Sequence, residues 1–410
     1  MNIQITPRPL LGSVAAVTSK SHAHRLLIGA ALSQTPTEVL FDNTSVDIET
    51  TITCLKALRE NPRPILDCWE SGSTLRFLLP VAMALHDNAV FTGSGRLPQR
   101  PISPLKEEME AHGCTFSGSG KPGEICTVAG KLKGGVFALP GNVSSQFITG
   151  LLFALPLLEE DSEIRVISPL ESESYVDLTL DTLAQFNIAA AKTQKGNFLR
   201  FSVKGRQAYL GPKSLTAEGD WSNMAFWIMG GLLSGDSAVT CTGLAFHSAQ
   251  GDQQILRLAS LMGGKILQKE NRLMAMGSSL RGISIDASPV PDLIPVLAAA
   301  ASVARGTTRI HHGERLRLKE SDRLSALYHC LSGLGANIRE ERDGLLITGV
   351  KKLRGGKVSG YHDHRIVMAM AIASIVCENP VIIEGAEAVD KSYPTFFKDF
   401  KALGGKVNVI

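Results

Sequence analysis

The chain lacks an excess of charge of either sign. Forty-two basic residues face 39 acidic ones for a net charge of +3, which argues against a nucleic-acid binder that relies on an overall basic field. It also lacks a long apolar run. The longest near-apolar stretches, Leu293–Ala304 and Ile366–Val376, fall short of the roughly 20 residues a membrane span needs. At the N-terminus, Met1-Asn2-Ile3-Gln4-Ile5-Thr6-Pro7 has no basic segment leading into an apolar one, so no secretory leader is expected. The seven cysteines form no C-x-x-C pair, and Cys54, Cys241, Cys330 and Cys377 sit inside apolar runs. Reduced, buried thiols in a cytoplasmic protein are the expectation. Aromatic residues are few, at 6%, whereas glycine is abundant, at 39 residues, which suits tight turns and close backbone approaches. With 44% apolar and 20% charged residues over 410 positions, the chain can bury sizeable cores and is long enough for two or three domains.

What is present is a repeat. Small or polar residues, often with one charge, lead directly into an apolar helix at Ser19-Lys20-Ser21, Glu70–Thr74, Gly141–Gln146, Glu218–Ser222, Pro291-Asp292 and His362–Arg365. From the second copy onward the starts recur at a step of about 70 residues, while the first step is shorter. Between the copies lie second helices that stop on Gly or Asn, as at His112-Gly113, Phe186-Asn187, Met262-Gly263, Leu334-Gly335 and Leu403-Gly404; the copy near Arg59-Glu60-Asn61 stops on Pro62. The pattern predicts an α/β fold of two similar domains, each of three β-α-β-α-β-β repeats. One domain is expected over 19–213, the other over 1–18 plus 214–410. Helices apolar nearly all round, such as 293–304, belong in the interior.

Helix N-termini carry unsatisfied N–H groups and partial positive charge, and so bind anions. In this chain Lys20, Arg25, Arg76, Asp292 and Arg365 lie at the starts of first helices, and Arg96, Arg100, Lys319, Glu320, Arg323 and Lys391 in or beside turns leading to second ones. A single cation there is ordinary solvated surface. Cations repeated at positions where the helix dipole disfavours them suggest a multiply anionic small molecule, held by Arg forks and Lys point charges. Ser19-Lys20-Ser21 fails as a phosphate loop, because Ser19 and Val14 stand where G-x-x-x-x-G-K-[ST] needs glycine. His22-Ala23-His24, His311-His312 and His362-Asp363-His364 have no Cys or acidic cluster at matching spacing, so no metal is expected.

Residues 315–323, Arg-Leu-Arg-Leu-Lys-Glu-Ser-Asp-Arg, followed by Tyr361-His362-Asp363-His364-Arg365, resemble the 5-enolpyruvylshikimate-3-phosphate synthase (3-phosphoshikimate 1-carboxyvinyltransferase) family. The likeness continues through Ser19-Lys20-Ser21 with Arg25, Gly72 with Arg76, Arg100-Pro101-Ile102, Ser144-Ser145-Gln146, Ser172 with Tyr175, Glu218-Gly219-Asp220, Pro291-Asp292 and Lys391-Ser392-Tyr393-Pro394. The resemblance implies the enolpyruvyl transferase fold with the active site in the interdomain cleft. It further implies transfer of an enolpyruvyl group from phosphoenolpyruvate to the 5-hydroxyl of shikimate 3-phosphate, on the way to chorismate and the aromatic amino acids, in an enzyme that is the target of glyphosate. By the same likeness, phosphoenolpyruvate would meet Lys20, Gly72, Arg100, Gln146, Arg323, Arg365 and Lys391. Shikimate 3-phosphate would meet Lys20, Ser21, Arg25, Ser144, Ser145, Gln146, Ser172, Tyr175, Asp292 and Lys319. Two positions depart from the family: Arg315 stands where many members have an Asn that contacts the shikimate phosphate, and Phe77 where many have Pro.

The reaction requires a hydroxyl to lose a proton while a methylene carbon gains one, which calls for a base and an acid on either side of one carbon. Asp292 is the candidate base, and Lys319 and Glu320 are candidates at the methylene. Neighbouring cations are expected to lower the pKa of Lys319. No organic cofactor or metal is needed; the expected partners are the two small substrates, with neither nucleic acid nor membrane, and the expected state is a cytoplasmic monomer. Two rival readings exist. An enzyme using UDP-N-acetylglucosamine as acceptor would have Asn at Ser21 and commonly a reactive Cys within Thr92–Arg100. A non-catalytic small-anion binding protein would have no need of Asp292, Lys319 and Glu320 together.

Overall fold

A computed structural model of the chain describes residues 1–118, 120, 123–196 and 198–410. The chain divides into two compact units, Lys20–Ala217 and Met1–Ser19 with Glu218–Ile410. Strands β1 (Asn2–Thr6) and β2 (Gly12–Ala15) open the chain and belong to the second of these.

The Lys20–Ala217 unit begins with α1 (Lys20–Leu32), β3 (Glu38–Leu40) and α2 (Val46–Glu60). Next come β4 (Ile65–Asp67), α3 (Gly72–Leu85), β5 (Asn88–Thr92), α4 (Leu105–Ala111), β6 (Cys114–Ser117) and β7 (Glu124–Gly130). They are followed by β8 (Val136–Leu139), α5 (Ser145–Ala154), β9 (Ser162–Val166), α6 (Glu173–Gln185), β10 (Ala190–Lys195) and β11 (Phe198–Val203), and the unit closes with β12 (Ser214–Thr216). Two of its sheets are four-stranded, in the orders β4-β5-β7-β6 and β8-β9-β11-β10. In each, a parallel pair is extended by an antiparallel hairpin.

The remaining unit continues with α7 (Trp221–Leu232), β13 (Ala238–Thr242), α8 (Ile255–Leu261), β14 (Lys265–Lys269) and β15 (Arg272–Met276). It then runs through β16 (Ser284–Asp286), α9 (Ile294–Ala301), β17 (Thr307–His311), α10 (Arg323–Gly333), β18 (Asn337–Glu341) and β19 (Gly344–Thr348). The last elements are β20 (Gly356–Ser359), α11 (His364–Ala373), β21 (Val381–Glu384), α12 (Phe396–Ala402) and β22 (Lys406–Val409). Its sheets have the orders β2-β13-β15-β14, β16-β17-β19-β18 and β20-β21-β1-β22. The chain's first strand thus completes its last repeat, with Ile3 opposite both Ile383 and Val409.

Five repeats therefore follow the expected β-α-β-α-β-β order, and the sixth is truncated. Around α1 and α2 the sheet is a single parallel pair, β12 with β3; among the described residues β3 has no antiparallel neighbour. The reason is length: only residues 61–64 separate α2 from β4, too few for two strands and a turn. Pairing of Ser214–Thr216 with Glu38–Leu40 also carries the first unit to Ala217, four residues past the boundary expected from Gly211-Pro212.

Each unit has its own core. All residues of α7, α9 and α11 are buried, and these helices pack on one another, as helices apolar on every side must. In the other unit α3 and α5 form the central contact. There a Cβ on Gly150 would stand 2.4 Å from the Arg76 carbonyl oxygen, so only glycine permits that approach. The seven cysteines are buried, unpaired thiols. Among the described residues no helix is long and apolar enough to cross a membrane.

Candidate active site

In the unit that holds α9, α10 and α11, acidic side chains cap the starts of α10 and α11. Asp322 accepts from the Ser325 amide (3.1 Å) and Asp363 from the Arg365 amide (2.9 Å), satisfying N–H groups the helices leave open. Between these caps lies a cluster of three carboxylates and three cations centred on Arg323, whose side chain is 1% exposed. Its Nη1 donates to Asp292 Oδ1 (2.7 Å), its Nη2 to Glu320 Oε2 (2.9 Å) and its Nε to Asp363 Oδ2 (2.8 Å). Lys319 Nζ lies 3.6 Å from Asp292 Oδ1, and Arg365 Nη2 lies 3.5 Å from Asp292 Oδ2. One carboxylate therefore sits among three cations that would otherwise repel. Arg317 anchors the turn bearing Lys319, donating to Asp322 (2.9 Å) and Glu340 (2.6 Å).

Electrostatics separate the roles of these groups. Burial alone favours the protonated carboxyl at Asp292, but Arg365, Lys319 and Arg323 outweigh it and hold the group well below the usual carboxylate range. Burial lowers the Lys319 pKa; Arg323 and Arg315 lower it further, Asp292 and Glu320 oppose them, and the result is about 8. The direction is the one expected, but its main cause is removal from water rather than neighbouring charge. A partly buried ammonium that releases its proton this readily is a better acid than a free lysine. Lys391 is buried at the end of the turn Ala386–Lys391, which packs on α11, the helix carrying Arg365.

In the Lys20–Ala217 unit a second group of predicted residues comes together. Arg76 Nη1 donates to Gln146 Oε1 (2.8 Å), and Gln146 Nε2 donates to Ser73 Oγ (2.9 Å). These bonds join the N-terminal parts of α3 and α5, where Ser71 accepts from the Thr74 amide and Ser144 from the Gln146 amide. A Cβ on Gly72 would stand 2.8 Å from Arg100 Nη1 and 3.0 Å from Arg76 Nη1. The glycine thus leaves room for two guanidinium groups beside a helix start, a ready anion site. At the start of α1, Lys20 Nζ lies 2.7 Å from Asp47 Oδ2. Arg25 is 3% exposed and is used inside the unit: it donates to the Ser21 and Tyr175 carbonyls (2.6 and 2.8 Å) and to Thr179 Oγ1 (2.9 Å). Its guanidinium lies 5.1 Å from the Phe77 ring, so the Phe that departs from the family's Pro packs against α1. Ser172, at φ 56°, starts α6 in the left-handed region.

Residue spacing did not single out Asp363, Ser321 or Asp47 as members of these groups. Asp363 holds Arg323 with one edge and the Arg365 amide with the other, and it accepts from Ser321 Oγ (3.0 Å). Its capping role was readable from an Asp before an apolar run; its grip on a side chain 40 positions earlier was not. Asp47 carried only the signal of an acid in the first turn of a helix.

The family model described as EPSP synthase (3-phosphoshikimate 1-carboxyvinyltransferase) matches residues 5–400. A protein of Clostridium kluyveri named 3-phosphoshikimate 1-carboxyvinyltransferase is 42% identical over 425 residues, covering 99% of this chain and 98% of the relative. One of that name from Clostridium perfringens is 42% identical over 421 residues, covering 98% of each. Among solved structures, an EPSP synthase from Acinetobacter baumannii superposes with a TM-score of 0.80 at 23% identity over 100% of both chains. The enolpyruvyl transferase NikO from Streptomyces tendae does so with 0.79 at 16%, over 99% of this chain and 98% of that one. Both likenesses show the fold.

Proposed function

The chain belongs to the EPSP synthase family, and from that premise we propose that it transfers the enolpyruvyl group of phosphoenolpyruvate to the 5-hydroxyl of shikimate 3-phosphate, with Asp292, Lys319 and Glu320 moving the protons. In the addition step the hydroxyl oxygen bonds to C2 of phosphoenolpyruvate, its proton passes toward Asp292, and the C3 methylene takes a proton from Lys319. In the elimination step a C3 proton returns to the protein at Lys319 or Glu320, and the C2–O bond to phosphate breaks. Arg323 and Arg365, with Arg100, Lys20 and Lys391, hold carboxylate and phosphate in register and offset the charge that departs. Ser144, Ser145, Gln146, Ser172 and Tyr175 take the acceptor. These residues fall in both units, so the reading needs the whole chain.

The observation that carries the reading is the partly buried Lys319 ammonium, with a pKa of about 8, placed 3.6 Å from an Asp292 carboxylate kept ionised by three cations. An acid and a stably charged acceptor side by side suit proton transfer at two atoms of one substrate pair. Phosphate release from phosphoenolpyruvate, assayed with each acceptor separately, tests it. Release is expected with shikimate 3-phosphate alone. Release only with UDP-N-acetylglucosamine would move the chain to the rival acceptor, and release with neither would leave an anion-binding protein.

Gly72 offers a second check. The atoms that a Cβ would strike are the ends of two arginine side chains, which can shift without unfolding the helix. Gly72→Ala is expected to raise the KM for phosphoenolpyruvate roughly tenfold, equivalent to about 1.4 kcal/mol, with little change in melting temperature. Steady-state kinetics with an unchanged KM would place Gly72 outside the phosphoenolpyruvate site.

A further inference from the structure

The pair His311-His312 has no Cys or acidic cluster at metal-ligand spacing in the sequence, but the sheet supplies an acid from elsewhere. In the parallel pair β16–β17, Asp286 is the register partner of His311, so both stand at the C-terminal ends of their strands. His312 follows at φ 55°, a left-handed conformation uncommon outside glycine. Its amide is fixed by Asp343 Oδ2 at 3.2 Å. The His312 Nδ1 then lies 3.2 Å from His311 Nδ1 and 3.3 Å from Asp286 Oδ1. Among the described residues, these three form the one group of His, Cys, Asp or Glu side chains whose donor atoms all fall within 4.8 Å of one another.

We propose that Asp286, His311 and His312 bind a divalent transition-metal ion of the Zn2+ class at the ends of β16 and β17. Zinc bonds of about 2.0–2.1 Å to nitrogen and oxygen, in tetrahedral geometry, set neighbouring donors about 3.3 Å apart. The two separations, 3.2 and 3.3 Å, are of that size. Two imidazoles and one carboxylate suit Zn2+, Ni2+ or Cu2+, and disfavour Mg2+ and Ca2+, which take oxygen donors. Asp286 is held in place by Ser288, whose amide (3.0 Å) and Oγ (2.7 Å) both donate to Oδ1, the oxygen that faces His312. The side chains of His312 and Asp286 are 61% and 47% exposed, so an ion can enter from solvent and water can complete its coordination.

The position gives the site a consequence. The connection after Asp286 runs to Asp292, and the one after His312 runs through the turn Glu314–Leu318 to Lys319. An ion held by both strand ends ties together the two segments that present the proposed base and acid, while touching neither. The site is therefore a structural clamp beside the chemistry.

Calorimetric titration of Zn2+ into the untagged, metal-free full-length protein tests this, alongside the visible spectrum of Co2+ as a probe of coordination. One ion per chain is expected, with the Co2+ bands of a low-coordinate nitrogen and oxygen site and a raised melting temperature at saturating Zn2+. Asp286→Asn and His312→Ala, both surface changes, are each expected to weaken binding by at least roughly tenfold and to abolish the thermal shift. No uptake, or uptake that both variants retain at wild-type affinity, would overturn the proposal; the second result would assign the ion to other histidines.

Discussion

Lys319→Met is expected to lower kcat by roughly 10²–10⁴, the range spanned by a positioned general acid or base. The substitution keeps the length and apolar stem of the side chain and removes the ammonium that lies 3.6 Å from Asp292, so packing is little disturbed. The wild-type pH profile carries a sign that a structural role would not. An acid must hold its proton to act, and Lys319 is lowered from the ordinary lysine range to about 8. Turnover should therefore fall as pH rises through about 8, well before an ordinary lysine would titrate. Lys319→Arg stays charged throughout and should lose this alkaline limb while remaining slow. Near-full turnover in Lys319→Met would remove the residue from the chemistry, and an unchanged limb in Lys319→Arg would assign the titration to another group.

Arg323→Met should be the most damaging substitution for stability. The guanidinium is 1% exposed and bonds to Asp292, Glu320 and Asp363. Removing it leaves three carboxylates without their common counter-ion. Breaking a buried pair in this way costs about 3–5 kcal/mol, since the remaining charge stays desolvated, and here one cation serves three acids. Urea denaturation should show that loss, and Arg323→Lys, which keeps the charge but not the planar fork, should fall between. A loss below about 1 kcal/mol, the worth of an exposed pair, would mean that the cluster is solvated and rearranges freely.

Much of this was legible because the signals are local. A polar start, an apolar run and a stop on Gly, Asn or Pro announce each repeat locally, and Lys319, Glu320 and Arg323 lie in one short segment. What escaped depends on partners distant along the chain. The short step between the first two repeats was visible, but that β3 would pair with Ser214–Thr216 was not. Nothing in the first six residues marks β1 as the neighbour of β21 and β22. The same limit explains Lys319: the neighbouring cations were readable from sequence, whereas burial, the larger cause of its low pKa, is a property of the packed chain. Asp286 illustrates it again, 25 positions from His311 in sequence and opposite it in the sheet.

The closure of the last sheet by β1 bears on the order in which the protein can be made. The Lys20–Ala217 unit is one uninterrupted stretch and has all its strands once Thr216 has emerged from the ribosome. Domains commonly fold as units during synthesis, N-terminal first. Here the first-made strand cannot follow that order: β1 pairs with β21 and with β22, which ends at Val409. β2 likewise waits for β13, more than 200 residues later. Residues 2–6 therefore remain unpaired through nearly the whole of translation, long after the inserted unit is complete, whereas Gly12–Ala15 can pair once Thr242 has emerged. Within β1 apolar residues alternate with polar ones, Asn2-Ile3-Gln4-Ile5-Thr6, so only one face of the waiting strand is apolar. A nascent chain stalled before residue 381 should thus contain a folded centre and a free N-terminal strand.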